Sequence, residues 1–219
     1  MIYITIDGPA GSGKSSVSRD LAKKLGFKHL DTGALYRAAT FLWIKFRKGL
    51  TSQEFLKMIK SANFYLSGDS TLYMNGKSLG EEIRTVKVGK VVSKVAEVPE
   101  IREIITQKAR EIANGKRIVV EGRDIGTVVL PNACVKIFLT ASVDERAHRR
   151  YEDYKSRGVS VRFEEVVKEI ELRDKIDSTR EVAPLKPAKD AIIFSTDGFT
   201  FEEVVNKLYS LIMEKMKQC

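Results

Sequence analysis

The segment that decides the fold is residues 2–15, IYITIDGPAGSGKS. Successive apolar, mostly β-branched residues predict a buried strand over 2–7. The octapeptide at residues 8–15 matches the pattern G-x-x-x-x-G-K-[ST], and Val17, Leu21 and Leu25 then follow on one face of a helix. A strand, a glycine-rich loop and a helix in this order predict a loop that binds the phosphates of a nucleoside triphosphate.

Each residue type in this loop has a chemical task. Glycines let the backbone curl so that its N–H groups point at phosphate oxygens, and the helix N-terminus adds partial positive charge. Lys14 reaches the β- and γ-phosphates, and the Ser15 hydroxyl is the candidate ligand of Mg²⁺. Residues 186–190 do not fit the Asn/Thr-Lys-x-Asp pattern that recognises guanine, so the triphosphate is expected to be ATP. The loop residues predicted to bind ATP are Gly8, Pro9, Ala10, Gly11, Ser12, Gly13, Lys14, Ser15 and Ser16.

The length and composition of the chain exclude several classes of protein. A chain of 219 residues with 43% apolar and 31% charged residues is neither collagenous, low-complexity nor largely disordered. No apolar run approaches the length of a membrane span, and the N-terminus lacks the basic region of a signal peptide. Cys134 and Cys219 are not expected to form a disulfide framework, which favours a cytoplasmic protein. The net charge of +9 suits nucleic acid, acidic lipid or nucleotides, and does not choose among them.

The rest of the chain alternates short apolar runs with helical stretches. The runs at 27–30, 117–120, 135–139 and 191–194 predict further strands of a parallel sheet. Residues 63–80 interrupt this alternation with short antiparallel strands and the hairpin signal Asn75-Gly76. Residues 146–162 are rich in arginine and predict two helices joined by a glycine-containing turn, which could form a flap over the site.

Three further strings are candidates for ligand binding. The first two follow strands directly, and a doubly wound sheet binds its ligands beyond the carboxyl ends of its strands. The strings also contain arginines, which can bind phosphate through two hydrogen bonds. They are Asp31–Arg37, Glu121–Thr127 and Arg173–Arg180. With Gly80–Thr85, Val135–Leu139, Glu145–Arg150 and Ala183–Leu185, they resemble the bacterial cytidylate kinases, which are nucleoside monophosphate kinases. The resemblance runs from Ile4 to the final helix and is weakest at residues 45–75.

The resemblance implies a single α/β domain over residues 1–219, with a P-loop NTPase-type five-stranded parallel sheet flanked by helices. A core of residues 1–37, 96–145 and 163–219 would carry a monophosphate-binding insert at 38–95, with a small antiparallel sheet, and a helical lid at 146–162. The implied activity is transfer of the γ-phosphoryl group of ATP to CMP or dCMP with Mg²⁺. The expected protein is a cytoplasmic monomer without nucleic-acid or membrane partners.

The resemblance also implies roles for individual residues. The CMP phosphate would be surrounded by Thr32, Arg37, Arg84, Arg123 and Arg180. The cytosine would contact Ser93, Arg102 and Asp124, with Tyr36 along the base, and the sugar hydroxyls would face Arg173 and Asp177. The lid residues Arg146 and Arg150 would hold the adenine and phosphates of ATP. The residues assigned to catalysis are Lys14, Arg123, Arg173 and Arg180. Glu121 stands where many members carry aspartate, at the position of a contact to Mg²⁺ or its water.

The chemistry of the base supports part of this assignment independently. Cytosine offers an amino donor and two acceptors, which a carboxylate and an arginine such as Asp124 and Arg102 would complement. The acceptor phosphate of a monophosphate kinase is already ionised at neutral pH, so no general base is required. Two alternatives remain open from the sequence: a P-loop kinase of another small acceptor, such as shikimate, and a nucleotide-dependent regulator that binds nucleic acid.

Overall fold

A parallel sheet forms the centre of the computed structural model, which describes all 219 residues. Its strands are β1 (Ile2–Asp7), β2 (Lys28–Asp31), β6 (Arg117–Gly122), β7 (Val135–Thr140) and β8 (Ile192–Ser195), and a second, antiparallel sheet holds β3 (Phe64–Leu66), β4 (Leu72–Met74) and β5 (Lys77–Ser78). The helices are α1 (Lys14–Leu25), α2 (Thr32–Phe46), α3 (Ser52–Ser61), α4 (Val86–Glu97), α5 (Pro99–Ala113), α6 (Val143–Ser156), α7 (Phe163–Thr179) and α8 (Phe201–Met216). A 3₁₀ turn covers Glu81–Ile83 and a π-helical turn covers Ile125–Val129.

The strand order in the large sheet is β2-β6-β1-β7-β8, and every pair is parallel. The five predicted strands are confirmed, with their ends shifted by no more than two residues. The register places Asp7 opposite Gly122 and Asp31 opposite Glu121. The segments that follow β1, β2 and β6 therefore leave the sheet side by side at one edge.

Two buried clusters cover the two faces of this sheet. Within β6, Ile118 and Val120 belong to the cluster that α2 and α5 complete, while Val119 packs with α1 and α8 on the opposite face. All three side chains have no exposed surface. Because both faces are covered, the strand is apolar at successive positions rather than at alternate ones.

The insert carries the predicted antiparallel sheet, with one change in its boundaries. Asn75 and Gly76 both have positive φ, 51° and 81°, as a tight hairpin turn requires. The second strand therefore ends at Met74, and a third, two-residue strand follows the turn. The loop between β3 and β4 binds the edge of the large sheet, where the Ser70 hydroxyl accepts a hydrogen bond from the backbone N–H of His29 at 3.0 Å.

Residues 146–162 contain most of α6 and its connection to α7, so only the first helix of the predicted pair lies within these bounds, and the second begins at Phe163. Gly158, with φ of 69°, lies in the connecting turn. The Ser142 hydroxyl accepts from the N–H of Glu145 at the start of α6. The reciprocal bond of a capping box is missing there, because the N–H of Ser142 donates to Asp197 instead.

The expectation for the cysteines is wrong. Cys134 and Cys219 form a disulfide, although 85 positions separate them in the sequence. Helix α8 packs against α1 and β7, so its C-terminal end lies beside the start of β7. The pairing depends on this long-range packing, which the spacing of two cysteines does not reveal.

None of the helices combines the length and the apolar character needed to cross a lipid bilayer.

Candidate active site

The glycine-rich loop connects β1 to α1 and curls around the N-terminus of the helix, as the motif predicts. Gly11 and Gly13 have φ of 78° and 85°, which L-residues with a side chain rarely adopt. Gly8 is needed for a different reason, since a Cβ atom there would lie 2.0 Å from the carbonyl oxygen of Leu139. The Lys14 ammonium donates to the carbonyl of Pro9 at 2.8 Å. Burial, with Arg123 and Arg173 nearby, lowers the pKa of Lys14 to about 7.

A cavity of about 200 Å³ lies in front of this loop, beyond the carboxyl ends of β1, β2 and β6. All the residues predicted to bind CMP line it except Arg84, which lies in the adjoining groove with Arg37, Arg150 and Arg173. The cavity is lined by the phosphate loop, the start of α2, α4, the start of α5, the segment after β6 and the C-terminal half of α7. The predicted CMP residues that line it are Thr32, Tyr36, Arg37, Ser93, Arg102, Arg123, Asp124, Arg173, Asp177 and Arg180.

The lining of the cavity includes a buried carboxylate between two arginines. The Asp124 carboxylate accepts from Arg102 at 2.6 Å, and Arg180 lies 3.6 Å from its other oxygen. The Arg102 guanidinium also lies over the ring of Tyr36, 5.5 Å from its centroid. Burial raises the pKa of Tyr36 to about 12, so its hydroxyl remains a neutral donor. A flat group that enters here would meet one carboxylate, guanidinium donors and an aromatic ring.

A second carboxylate holds two of the predicted phosphate ligands. Asp31 forms an ion pair with Arg37 and lies 3.6 Å from Arg84. Burial alone would raise the pKa of Asp31, but Arg37, Arg84 and His29 hold it below its usual value. Asp31 also accepts from the N–H of Ala34 and thereby caps α2. The arginines are thus oriented before any anion binds.

The lining of the cavity carries more basic than acidic side chains. Arg123 donates to Asp177 at 2.7 Å, whereas the Nε atom of Arg173 is buried without a hydrogen-bond partner. Burial and the neighbouring Arg123 lower the pKa of Arg173 to about 10. The side chain is half-buried, and a cation with a buried, unpaired nitrogen is stabilised when an anion pairs with it. This point of the cavity is therefore suited to a phosphoryl group.

Glu121, on β6, contacts the phosphate loop, and its surroundings show whether a metal ion would fit there. Its Oε2 atom accepts from the Ser15 hydroxyl at 2.9 Å, and its Oε1 atom is buried without a hydrogen-bond partner. His29 lies 3.5 Å from the same carboxylate. Hydroxyl and carboxylate oxygens suit Mg²⁺, which usually takes only one or two protein ligands and completes its shell with water and phosphate. The donor set fits such an ion, and no cluster of three potential metal-ligating side chains points to another kind of site.

The two predicted lid arginines lie in different environments. Arg146 is buried and donates to the carbonyls of Ala10 and Ala141, while its guanidinium pairs with Asp174 at 2.6 Å. Its contacts are with the back of the phosphate loop rather than with the open cleft. Arg150 lines the cavity and is held on the lid by contacts to Asp153, Tyr154 and Glu169.

Sequence reasoning missed Arg149 as a candidate site residue. It lines a second cavity, of about 640 Å³, together with the front of the phosphate loop. Its Nη1 atom lies 3.7 Å from the position that a Cβ of Gly13 would occupy, and donates to Thr196 at 2.9 Å. The i,i+4 spacing selected Arg146 and Arg150, and nothing in that spacing shows which side of α6 faces the loop. Asp31 was also missed as the partner of Arg37, although it stands in the same string.

Sequence comparison agrees with this geometry. The family model described as cytidylate kinase matches residues 4–214. The chain belongs to the cytidylate kinase family. It is 46% identical over 217 residues to a cytidylate kinase of Caldanaerobacter subterraneus, with 99% of this chain and 96% of the relative covered. It is 48% identical to one of Thermosipho melanesiensis, with 98% of both chains covered. Family membership makes the protein a phosphotransferase that acts on CMP or dCMP.

Solved structures support the kinase fold. A gluconokinase of Sinorhizobium meliloti superimposes with a TM-score of 0.51 at 15% identity, covering 99% of this chain and 94% of the other. An uncharacterised protein of Eubacterium ventriosum superimposes with a TM-score of 0.54 at 14% identity, covering 97% and 98%. At this level of identity the similarity concerns the fold, which is that of a P-loop kinase.

Proposed function

We propose that the cleft aligns CMP or dCMP with ATP and transfers the γ-phosphoryl group from ATP to the CMP phosphate, which yields CDP or dCDP and ADP. The observation that carries this assignment is that the buried Arg102–Asp124 pair and the phosphate loop line the same cavity. With the base bound by this pair and the triphosphate by the loop, the phosphate of the monophosphate would lie between them.

The Arg102–Asp124 pair would select cytosine over uracil. The Asp124 carboxylate would accept from the amino group of cytosine, while Arg102 would donate to the ring nitrogen or carbonyl oxygen. Uracil carries an acceptor in place of the amino group, so the same carboxylate would face it without a bond. A buried polar group left unpaired makes such discrimination large. Ser93 and Tyr36 would complete the contacts to the base.

The phosphate of CMP would lie among the arginines at the centre of the cavity. Thr32, Arg37 and Arg84 would hold it from the side of α2, where Asp31 orients both arginines. Arg123, Arg173 and Arg180 would neutralise the charge of the transferring group. Asp177, which pairs with Arg123, would face the sugar hydroxyls. The CMP phosphate is already ionised at neutral pH, and no residue is assigned as a general base.

The donor side is the phosphate loop, with Lys14 at the β- and γ-phosphates. We assign Ser15 as the ligand of Mg²⁺ and Glu121 as the group that orients Ser15 and the water around the ion. When bound, Mg²⁺ neutralises charge on the phosphate oxygens. Arg150 lies at the cavities on both sides of the loop, and we propose that it leaves Asp153 and Glu169 when a triphosphate binds. Arg149 faces the front of the loop, whereas Arg146 supports its back.

We propose that the chain is divided into a core, an insert and a lid according to these roles. Residues 38–95 would form the insert that carries Arg84 and Ser93, and residues 146–162 the lid that carries Arg149 and Arg150. All proposed site residues belong to one chain, which supports action as a monomer on free nucleotides. The positive charge concentrated in the cleft suits nucleotides, and we infer neither a nucleic-acid nor a membrane partner. We infer a cytoplasmic location from these substrates alone, because the Cys134–Cys219 disulfide removes the argument based on the cysteines.

The deciding experiment measures ADP production from ATP with CMP, dCMP, UMP, AMP and shikimate as acceptors. We expect CMP and dCMP to give the highest kcat/KM, and ATP alone to give little turnover. Faster turnover of UMP or AMP than of CMP would overturn the role of Asp124. Tight RNA binding with a steep salt dependence, and no acceptor-dependent release of ADP, would instead favour a nucleic-acid-binding regulator.

A further inference from the structure

Asp7 is a buried acid to which the proposed mechanism gives no task. It ends β1 directly before Gly8 of the phosphate loop, and 4% of its surface is exposed. One carboxylate oxygen accepts from the N–H of Ile125 at 2.7 Å, and the other accepts from the N–H of Gly126 at 2.8 Å. Both bonds cross from the phosphate-loop strand to the segment that carries Asp124.

The turn at Ile125–Val129 requires a hydrogen-bond acceptor such as the Asp7 carboxylate. Ile125 and Gly126 begin the π-helical turn, and the first N–H groups of a helical turn have no partner within it. The side chain of Asp124, which precedes the turn, does not cap it and is directed to Arg102 instead. The C-terminal end of the turn is held separately by Arg110, which donates hydrogen bonds to the carbonyls of Val128 and Val129.

The contact is closely packed. A Cβ atom at Gly126 would lie 3.3 Å from the Asp7 carboxylate and 2.9 Å from the Thr5 hydroxyl, so glycine permits the approach. Burial raises the pKa of Asp7 to about 6, against the effect of the two backbone N–H groups, which lower it. The fold thus keeps a carboxylate at a place where burial disfavours its charge. An apolar residue would fill the space but would leave both N–H groups unpaired.

We propose that Asp7 is a positioning residue for cytosine recognition, which acts by fixing the peptide between Asp124 and Ile125. The N–H of this peptide is one of the two groups that Asp7 binds. Release of the peptide would let the Asp124 side chain move away from Arg102. The carboxylate and the guanidinium would then no longer lie side by side to bind the amino group and the ring of cytosine. The inference rests on the proposed role of Asp124 in base recognition.

A double-mutant cycle tests the proposal, with Asp7→Asn, Asp124→Asn and the double variant. The affinity for CMP, the kcat/KM ratio of CMP to UMP, and the KM for ATP are measured for each. We expect Asp7→Asn to weaken CMP binding roughly tenfold, since it removes hydrogen bonds to a charged group, and to lower the CMP/UMP ratio while the KM for ATP stays unchanged. In the Asp124→Asn background, the same substitution should change CMP binding by less than about twofold.

Two further variants control for general loosening of the fold. Gly126→Ala pushes the peptide away from an intact carboxylate and should reproduce the loss of CMP binding and selectivity. Arg110→Gln frees the other end of the same turn and should leave the CMP/UMP ratio unchanged. Thermal unfolding of each variant identifies any that do not fold, and Gly126→Ala then carries the test if Asp7→Asn is among them.

Several outcomes would overturn the proposal: equal losses of ATP and CMP binding in Asp7→Asn, independent losses in the double variant, or a fall in the CMP/UMP ratio in Arg110→Gln as large as in Asp7→Asn. An unchanged ratio in Asp7→Asn beside a lowered ratio in Asp124→Asn would also overturn it and leave the role of Asp124 intact. An unchanged ratio in Asp124→Asn would instead refute the proposed function of Asp124, and with it this inference.

Discussion

Arg102 and Asp124 form a buried ion pair 2.6 Å long, with at most 5% of either side chain exposed. A buried pair of this kind is weak support for stability, because removing both charges from water costs about as much as their attraction returns. Both residues line the cavity in front of the phosphate loop, where we propose that the pair recognises the base. The pair keeps a carboxylate and a guanidinium side by side, where a base can replace part of the contact.

The first prediction concerns base selectivity. Asp124→Asn replaces an acceptor-only group with an amide that can also donate to the uracil carbonyl. We expect kcat/KM for CMP to fall roughly tenfold or more and the preference for CMP over UMP to shrink. Steady-state kinetics with both acceptors measures the ratio. Asp144→Asn, an exposed carboxylate at the start of α6, is the matched control, and an unchanged ratio in Asp124→Asn would refute the assignment.

The second prediction concerns the proton on Lys14. Its pKa is lowered to about 7 by burial, so at pH 8.5 most of the ammonium groups are deprotonated in the absence of nucleotide. Triphosphate oxygens would favour the charged form, and ATP binding at pH 8.5 should take up close to one proton. Calorimetry in two buffers of different ionisation enthalpy measures this uptake. Lys14→Met should abolish both turnover and uptake, and an equal uptake in that variant would contradict the prediction.

The same shift has a consequence for stability. The folded protein binds fewer protons at Lys14 than the unfolded chain between pH 7 and the usual lysine pKa of 10.5. The contribution of Lys14 to the free energy of unfolding should therefore rise with pH across this window. Below it, the buried charge destabilises the fold. Denaturant unfolding at several pH values should show Lys14→Met gaining stability over the wild type near pH 7, and losing that gain towards pH 10.

The third prediction separates activity from stability at Arg173. The half-buried Arg173 side chain lies near Arg123, its Nε atom is buried without a hydrogen-bond partner, and desolvation lowers its pKa to about 10. We expect Arg173→Met to lower kcat by roughly 10²–10³-fold, because a contact to the transferring phosphoryl group is lost. Without nucleotide, the variant should unfold at the same or a higher temperature than the wild type. Arg162→Met, at an exposed position, is the control, and a large fall in melting temperature for Arg173→Met would show that Arg173 is structural.

The fourth prediction concerns the disulfide between Cys134 and Cys219. It closes a long loop, and its reduction should lower the free energy of unfolding by about 2–4 kcal/mol. Neither cysteine lines the nucleotide cavities, so kcat and both KM values should stay unchanged. Melting with and without reductant tests the wild type, and Cys219→Ser should match the reduced protein in stability. Two free thiols in the unreduced, denatured protein would show that the bond does not form.

The sequence could predict much of the fold and the location of the site. The apolar runs predicted all five strands of the large sheet, and the loop motif predicted the glycine-rich turn between β1 and α1 where we propose that the triphosphate binds. The strings after β2 and β6 were expected in one cleft, because the carboxyl ends of parallel strands meet at one edge of the sheet. The structure brings ten of the eleven predicted CMP residues to one cavity, with Arg84 in the adjoining groove.

The pairing of individual side chains depended on tertiary structure. Arg146 and Arg150 share a spacing that suggested one role, but α6 turns Arg146 towards the carbonyl of Ala10 and leaves Arg149 to face the front of the loop. The register of a helix against a loop more than a hundred positions away is set by packing, which local periodicity does not encode.

The amino-acid sequence by itself determined the class of fold, the phosphate loop and the family, because each depends on short patterns whose chemistry is local. Tertiary structure decided that Asp7 binds the turn after Asp124, that Asp31 orients Arg37 and that Cys134 meets Cys219. The bonds from Asp7 to Ile125 and from Cys134 to Cys219 join positions 118 and 85 residues apart. Such contacts form only when the sheet and its helices have closed, since chain closure rather than local preference brings the partners together.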